Sequence, residues 1–399
     1  MSSIQPITIS ERETYNALIG LSGTPMSQSA YALLKVAYRI TPDGLKRITP
    51  EPFAHSIHEE KKFGLLKTGT DFYPFKQATD VVVQGSAFCL SSATSSSVTV
   101  NVGKMTKRIW VFGNRRILYR NGRVVIDSPE PFCEMPLVYE NAYGGVDMRI
   151  EMPNDERSAF LTGCDHPGLY PRNPFGKGYL ARRGEIPESA EMPNLEDPYN
   201  LLTEERLIVS DPRYWYLQPM PACFDWLHLM CFPRYVFMGT DAWFEGPEDE
   251  RMPEVKLGYL PNNYRTNAGD SFGPTLNFFQ EASLGMTMTD IRPGDPVAIL
   301  GMHPERKKMV FNIPKPPSLS INLEGDEQAA PLRMHHMVAR PKEELVYFVY
   351  GAHRPLHRTL IPGIHKEIPI SISVDGDLPI RFEAPRTMKS RLEEAMQGQ

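Results

Sequence analysis

No stretch of the chain approaches the ~18 uninterrupted apolar residues that a membrane-spanning helix needs, and the opening MSSIQPITISERETYN lacks the basic start and apolar run of a secretory signal. The expectation is a soluble, cytoplasmic protein. Cysteine is scarce: Cys89, Cys133, Cys164, Cys223 and Cys231 contain no CxxC pair and are odd in number. That pattern argues against a disulfide framework and for reduced, buried thiols that behave as small hydrophobes. Charge of one sign is also missing. Against 48 Asp and Glu stand 43 Lys and Arg, a net charge of -5, which leaves no global attraction for nucleic acid or an anionic membrane.

The sequence patterns of common chemistries are absent too. There is no GxxxxGK[ST]; Gly176-Lys177-Gly178 lacks both the earlier glycine and the following hydroxyl of a phosphate cradle. GxSxG does not occur, and Gly20-Leu-Ser-Gly23 reads as a turn. Six of the ten histidines fall between His303 and His365, yet Pro355 between His353 and His357 forbids the helical turn that would place both on one metal ion. Cys164, Asp165 and His166 are adjacent in sequence with no second pair of ligands nearby. No metal or cofactor is expected.

What is present is punctuation: 37 prolines and 29 glycines exclude long helices from most of the chain. Strands fill the gaps. Ala32, Leu34, Val36, Tyr38 and Ile40 alternate along one face before the turn Thr41-Pro-Asp-Gly44, so a hairpin follows there. Val98, Val100 and Val102 alternate with polar residues, and Asn121-Gly122 between ILYR and RVVI is a strong hairpin signal. Ile368, Ile370, Ile372 and Val374 lead into Asp375-Gly376, with LPIRF as the returning strand. VAILG (297–301), KMVFNI (308–313) and ELVYFVY (344–350) are further strands. Short helices are expected at Glu11 to Ile19, at Asn277 to Ser283, and near the end, where Met388, Leu392 and Met396 share a face. The expected fold is mainly β, with packed antiparallel sheets in a sandwich-like arrangement, long Pro/Gly-rich loops and a few short helices. The chain reads as one unit, 1–399, with lobes divided near Gly145 into 1–145 and 146–399.

Charge is uneven along the chain. Between Glu185 and Asp211 eight acids face only Arg206, the composition of a solvated acidic surface. Arg306, Lys307, Lys308, Arg354 and Arg358 belong to a basic stretch of opposite sign. Two readings follow: the stretches pair with each other, or they steer a macromolecular partner. A different class of function, a hydrolase of carbohydrate or peptidoglycan on a β scaffold, would draw acid/base groups from Asp165, His166, Asp225, His228 or Asp241 in the irregular middle.

Several motifs occur in fixed order: TDFYPFKQATDVVVQGSAF (70–88), KRIWVFGNRR (107–116), PFCEMPLVYENAYGG (131–145), NPFGKGY (173–179), MPNLEDP (192–198), PRYVFMGTDAWF (233–244) and DPVAILGMHPERKKMVFNIP (295–314). Together they resemble the bacterial family catalogued as domain of unknown function 2169, over essentially the whole chain. The resemblance implies an accessory of type VI secretion, a non-enzymatic chaperone or adaptor that binds a secreted effector and helps load it on the valine-glycine-repeat spike or its PAAR-repeat tip. This chain departs from the family pattern at Gly113-Asn114-Arg115-Arg116, at Tyr143-Gly144-Gly145, at Pro221 to Phe224, and in lacking a tryptophan directly before Pro233.

The matching residues are of kinds that set backbone shape. Gly144 and Gly145 permit positive φ, while Pro131 and Pro136 hold the chain extended. Phe132, Leu137, Tyr139 and Tyr143 then anchor the segment, so PEPFCEMPLVYENAYGG reads as a core-packing strap despite its Glu130, Cys133, Glu134 and Glu140. Asp80 and Arg115 are expected in a buried ion pair or as turn caps. Asn173, Pro174 and Gly176, and Pro193 with Asn194, read as turns held by side-chain hydrogen bonds; Gly113 and Gly178 complete the structural set. Cargo contact is expected at exposed strand edges and at Phe348, Tyr350 and Leu356, with the basic stretch guiding approach.

Overall fold

A computed structural model describes residues 7–24, 27–59, 62–121, 123–147, 149, 168–180, 189–204, 218–228, 231, 280–356 and 369–382. Its longest strand grows from the alternation noted above: β3 (Ser27–Thr41) turns at residues 42–43 into β4 (Gly44–Ile48), the expected hairpin. Along its other edge β3 pairs antiparallel with β24 (Leu345–Pro355) from Arg39↔Leu345 to Ser29↔Pro355. The sheet continues outward through β2 (Asn16–Thr24) to β1 (Ile7–Glu11) on one side. On the other it runs through β23 (Arg333–Arg340) and β7 (Thr79–Val83) to β18 (Thr287–Met288), with β7 and β23 parallel.

Both faces of this sheet are covered. Ala30, Ala32, Leu34, Val36, Tyr38 and Ile40 of β3 join Val346, Phe348, Tyr350 and Ala352 of β24 in the main core. A five-stranded sheet also turns its apolar face into that core: β9 (Ser95–Val102) and β10 (Met105–Phe112) contribute Val98, Val100, Val102, Ile109 and Val111, while β19 (Pro296–Leu300) and β20 (Lys308–Asn312) contribute Val297, Ile299, Met309 and Phe311. A third sheet, built on β21 (Leu319–Leu323) and β25 (Ile370–Val374), adds Leu319, Ile321, Leu323, Ile370, Ile372 and Val374. The opposite face of the large sheet carries a smaller cluster of Leu18, Tyr31, Leu33 and Phe53 under Phe72. The architecture is mainly β and mostly antiparallel, and no helix of seven or more residues occurs among the described residues.

The hairpins form where turn chemistry placed them. Asn121, at φ 50°, links β11 (Arg116–Arg120) to β12 (Arg123–Ile126). Asp375 and Gly376, at φ 49° and 80°, turn β25 into β26 (Ile380–Arg381). Left-handed residues such as these give the twist that a tight hairpin turn needs. The quoted strap behaves as core packing: β13 (Phe132–Pro136) pairs with β8 (Ser86–Ala93), a single 3-10 turn spans Tyr139–Asn141, and β14 (Tyr143–Gly144) follows. Leu137, Tyr139 and Tyr143 are buried, while Glu130, Cys133 and Glu134 are exposed.

Several expectations need correction: Gly20 to Gly23 is not a turn but lies within β2, paired with β3. Glu11 to Ile19 is not helical: it spans the end of β1, a turn, and the first half of β2, whose Ala17 and Ile19 enter the main core while Leu18 enters the opposite cluster. The described part of the second helix, residues 280–283, is extended, with Ala282 bridging Trp226; the terminal helix lies outside the described residues. The division near Gly145 is not one the sheets respect, because β23 and β24 complete the large sheet and β19 pairs with β9. Cys133 also departs from the buried-thiol expectation, whereas Cys223 and Cys231 are buried and Cys89 is half-buried. Among the described residues, no helix is long and apolar enough to cross a membrane.

Candidate functional site

The glycines and asparagines of the matched motifs converge in one place. Asn173 donates its amide to the carbonyls of Tyr139 (2.7 Å) and Tyr143 (3.2 Å), and its own carbonyl accepts the Gly145 N–H at 2.8 Å. β14 then pairs in parallel with β15 (Lys177–Gly178), Gly144 opposite Gly178. Gly145 adopts φ +102°, the positive value its position in the strap calls for. Gly176 is required by proximity instead: a Cβ there would lie 2.4 Å from both the Ala142 carbonyl oxygen and the Asn173 amide nitrogen. Pro174, next to Asn173, is half-buried within this knot.

A second arm locks onto the first. Asn194 is fully buried; its amide donates to Phe112 O at 3.0 Å and Asn114 Oδ1 at 3.2 Å, and its backbone N–H to Asn141 O at 2.8 Å. Pro193 lies against Gly178, and its carbonyl accepts from Arg115. Arg115 forms a buried ion pair with Glu196 and covers the ring of Phe112 at 3.7 Å. Burial pulls the Arg115 guanidinium below its ordinary pKa, against the opposing charge of Glu196. Gly113 packs its Cα against the Glu130 backbone and donates its N–H to Thr94 O at 3.0 Å. Pro136 closes β13 opposite Ser86.

Asp80 belongs to a different buried network, so the ion pair sought between Asp80 and Arg115 is two separate pairs. Asp80 Oδ2 accepts Lys76 Nζ at 2.5 Å and the Glu281 N–H at 2.7 Å, and Oδ1 accepts the Thr287 hydroxyl at 3.4 Å. Lys76 also contacts His336 Nε2. His336 Nδ1 stands 3.8 Å from Asp71 Oδ1, and Asp71 Oδ2 accepts Lys35 Nζ and the Ala54 N–H, each at 2.8 Å. Burial pushes the Asp71 carboxyl up, but His336 and the Lys35 charge outweigh it, and the group ends below its ordinary value. Lys35, Asp71, Lys76, Asp80 and His336 are all 2% exposed or less. Sequence reading missed this chain apart from Asp80; the four-residue spacing of Lys76 and Asp80 inside a matched motif was its one visible trace.

Beside the glycine knot opens a cleft of about 280 Å³, walled by Gly144, Gly145, Gly176 and Gly178 and edged by Asp147, Arg149, Lys177 and Glu191. Asp147 is buried and takes Arg149 in a bidentate pair, Nε at 2.8 Å and Nη2 at 2.6 Å. Burial lowers the Lys177 pKa, with Glu191 opposing. Two cations and two carboxylates thus share one rim. Such a rim suits a small polar or zwitterionic group, and among the described lining residues there is no Ser, Thr, Cys or His. Among the described residues, no group of three His, Cys, Asp or Glu side chains is placed to hold a metal ion.

The remaining sequence candidates scatter. Asp225 accepts Gln84 Nε2 at 2.9 Å and the Trp226 N–H at 2.8 Å, and burial pushes its carboxyl up to about 7. His228 accepts the Leu66 N–H at 2.7 Å. Asp165, His166, Asp241 and Arg358 lie outside the described residues. Phe348 (0% exposed) and Tyr350 (2%) are core residues, not cargo contacts; withdrawing either would forfeit about 1.5–3 kcal/mol. Arg354 is likewise buried, donating to the Ile321 and Asp326 carbonyls at 2.6 Å each, so it clamps β24 to the third sheet instead of guiding a partner. Leu356 is half-buried against the main core. Arg306 pairs with Glu344 at 2.6 Å, and Glu196 of the acidic run is buried with Arg115. Lys307 and Lys308 are exposed.

The family whose model matches residues 27–350 is described as "uncharacterized protein conserved in bacteria", domain of unknown function 2169, and the chain belongs to it. No curated protein and no solved structure matches the chain.

Two substitutions test these assignments. Gly176→Ala must displace the Ala142 carbonyl or the Asn173 amide, and a loss of about 2–4 kcal/mol in urea unfolding is expected, the range for overpacking that also breaks a buried hydrogen bond. An unchanged midpoint would remove Gly176 from the knot. For Asp225 the folded-state pKa, about 7, lies above the ordinary carboxyl value of 3.8, so the folded state binds the extra proton and stability falls as pH rises through that window. Asp225→Asn, which keeps an acceptor for Gln84 and Trp226, is expected to match wild type at about pH 3, below the unfolded pKa, and to melt higher at about pH 8. Equal melting temperatures at both values would show that the carboxyl titrates normally.

Proposed function

We propose that this chain is a non-enzymatic adaptor, or chaperone, that binds a type VI secretion effector and assists its loading on the valine-glycine-repeat spike or PAAR-repeat tip. The observation that carries the reading is the ordered motif series from residue 70 to residue 314 and its resemblance to proteins of that role. The use made of those motifs supports it. Asn173, Asn194, Gly144 and Gly176 hydrogen-bond or make room for backbone, and Asp80 and Arg115 are occupied by buried partners. The motifs are therefore spent on holding a shape, which suits a protein whose work is to present surface. Cytoplasmic residence follows from that role, since cargo is loaded before secretion.

One observation favours a second reading, a hydrolase on a β scaffold: a buried carboxyl near neutrality, Asp225, has the titration behaviour of an acid/base group. A purely structural part of the secretion apparatus is a third. Co-expression separates them. A type VI effector from the same genome is expected to be soluble and to co-purify only when the chain is present. A soluble effector that is delivered without it contradicts the adaptor reading, and constant attachment to spike or baseplate in the absence of effector identifies the structural part.

A further inference from the structure

Among the described residues the five-stranded sheet ends on β20, which pairs there with β19 alone. At one end of that pair the Gly301 N–H donates to Lys307 O at 3.1 Å, and at the other the Ile313 N–H donates to Asp295 O at 2.9 Å. An antiparallel ladder alternates with period two, so Met309 and Phe311 turn their backbone groups toward β19, while those of Lys308, Val310 and Asn312 point away from the sheet. Side chains divide at the same residues. Met309 and Phe311 are buried; Lys308, Val310 and Asn312 are exposed, Val310 at 46%. Three outward N–H and three outward C=O groups form a template for one more strand.

Three other sheet ends differ. β1 carries exposed Ile7 and Ile9 with no cation in its span, β22 (Asp326–Ala329) is acidic, and the Ile126 N–H of β12 is taken by Glu204. β20 joins an outward backbone to two adjacent exposed cations: Lys307 and Lys308 make no ion pair among the described residues, and the half-buried Arg306, paired with Glu344, precedes them.

We propose that the β20 edge is where an extended, acidic segment of the effector docks, by strand addition. This inference rests on the adaptor reading and specifies how the partner is held. A residue opposite Lys308 on the added strand lies about 5 Å away and one opposite Val310 two positions along, so the matching segment has a carboxylate and a small apolar side chain at alternate positions. Backbone hydrogen bonds supply affinity, and this spacing supplies selectivity. Lysine on an edge also serves to repel other strands, and the test must separate that role from docking.

A full-length type VI effector from the same genome is the probe. Val310→Pro removes an outward N–H that β19 does not use and is tolerated on an edge strand; it is expected to weaken effector binding about tenfold or more through that lost hydrogen bond and the blocked approach. Lys307→Glu with Lys308→Glu is expected to slow association about tenfold at low salt, the difference shrinking at about 0.5 M salt. A Val310→Pro protein that melts like wild type and binds like wild type overturns the inference while leaving the adaptor reading intact. If the wild-type chain binds no effector, the adaptor reading falls first and this one with it. Should Val310→Pro fail to fold, the double variant decides: an unchanged association rate, or self-association in place of lost binding, assigns the lysines to guarding the edge and overturns docking.

Discussion

Everything else in the molecule leans on the buried series of charges from Lys35 through Asp71, His336 and Lys76 to Asp80. It ties the segment from residue 70 to residue 80 to β3 at one end and to β23 at the other, and Asp80 also receives the backbone of Glu281. Five polar side chains without solvent are costly, and a buried ion pair is seldom a net gain over apolar packing. Its effect is on uniqueness. With Asp80 buried on β7 between β23 and β18, a one-residue slip of β7 would leave charges unpaired in the core, an error of several kcal/mol. The same constraint explains why β7 is parallel to β23 in an otherwise mostly antiparallel sheet: the segment after Asp71 must return beside His336 to close the series.

Strands with one regularly apolar face were legible. Alternation in β3, β9 and β25, and the turns at residues 42–43, Asn121 and Asp375-Gly376, can be read directly because period two and left-handed turn residues are local properties. Residues 11–19 show where that fails. Tyr15, Leu18 and Ile19 have helical spacing, but β2 is buried on both faces, so Leu18 and Ile19 point to opposite clusters and no alternation survives. Phe348 and Tyr350 misled for a related reason. Beside the basic Arg354 and Arg358 they looked like a surface, whereas β24 is a central strand and Arg354 itself is enclosed.

The candidate site was legible in its parts and illegible in its assembly. Gly144, Gly145, Asn173, Gly176, Pro193 and Asn194 read as backbone-shaping; Asn173 and Asn194 hydrogen-bond to backbone carbonyls, and a Cβ at Gly144, Gly145 or Gly176 would meet neighbouring backbone. That they meet around one cleft depends on a parallel bridge between β14 and β15, which no local pattern announces. Buried lysines are the least legible feature of all, since Lys35 and Lys76 look like any solvated charge until their carboxylates are placed. The exposed edge at Val310, by contrast, lies within a motif already read as a strand beside basic residues.

A double-mutant cycle at Lys76 and Asp80, by equilibrium urea unfolding, tests the central claim most directly. Lys76→Met and Asp80→Asn are each expected to cost about 3–5 kcal/mol, because each leaves its partner uncompensated in the core, and the double variant is expected to lose no more than the worse single one, a coupling of at least about 2 kcal/mol. Losses that add, or single variants within about 0.5 kcal/mol of wild type, would contradict the account and return the organising role to apolar packing alone.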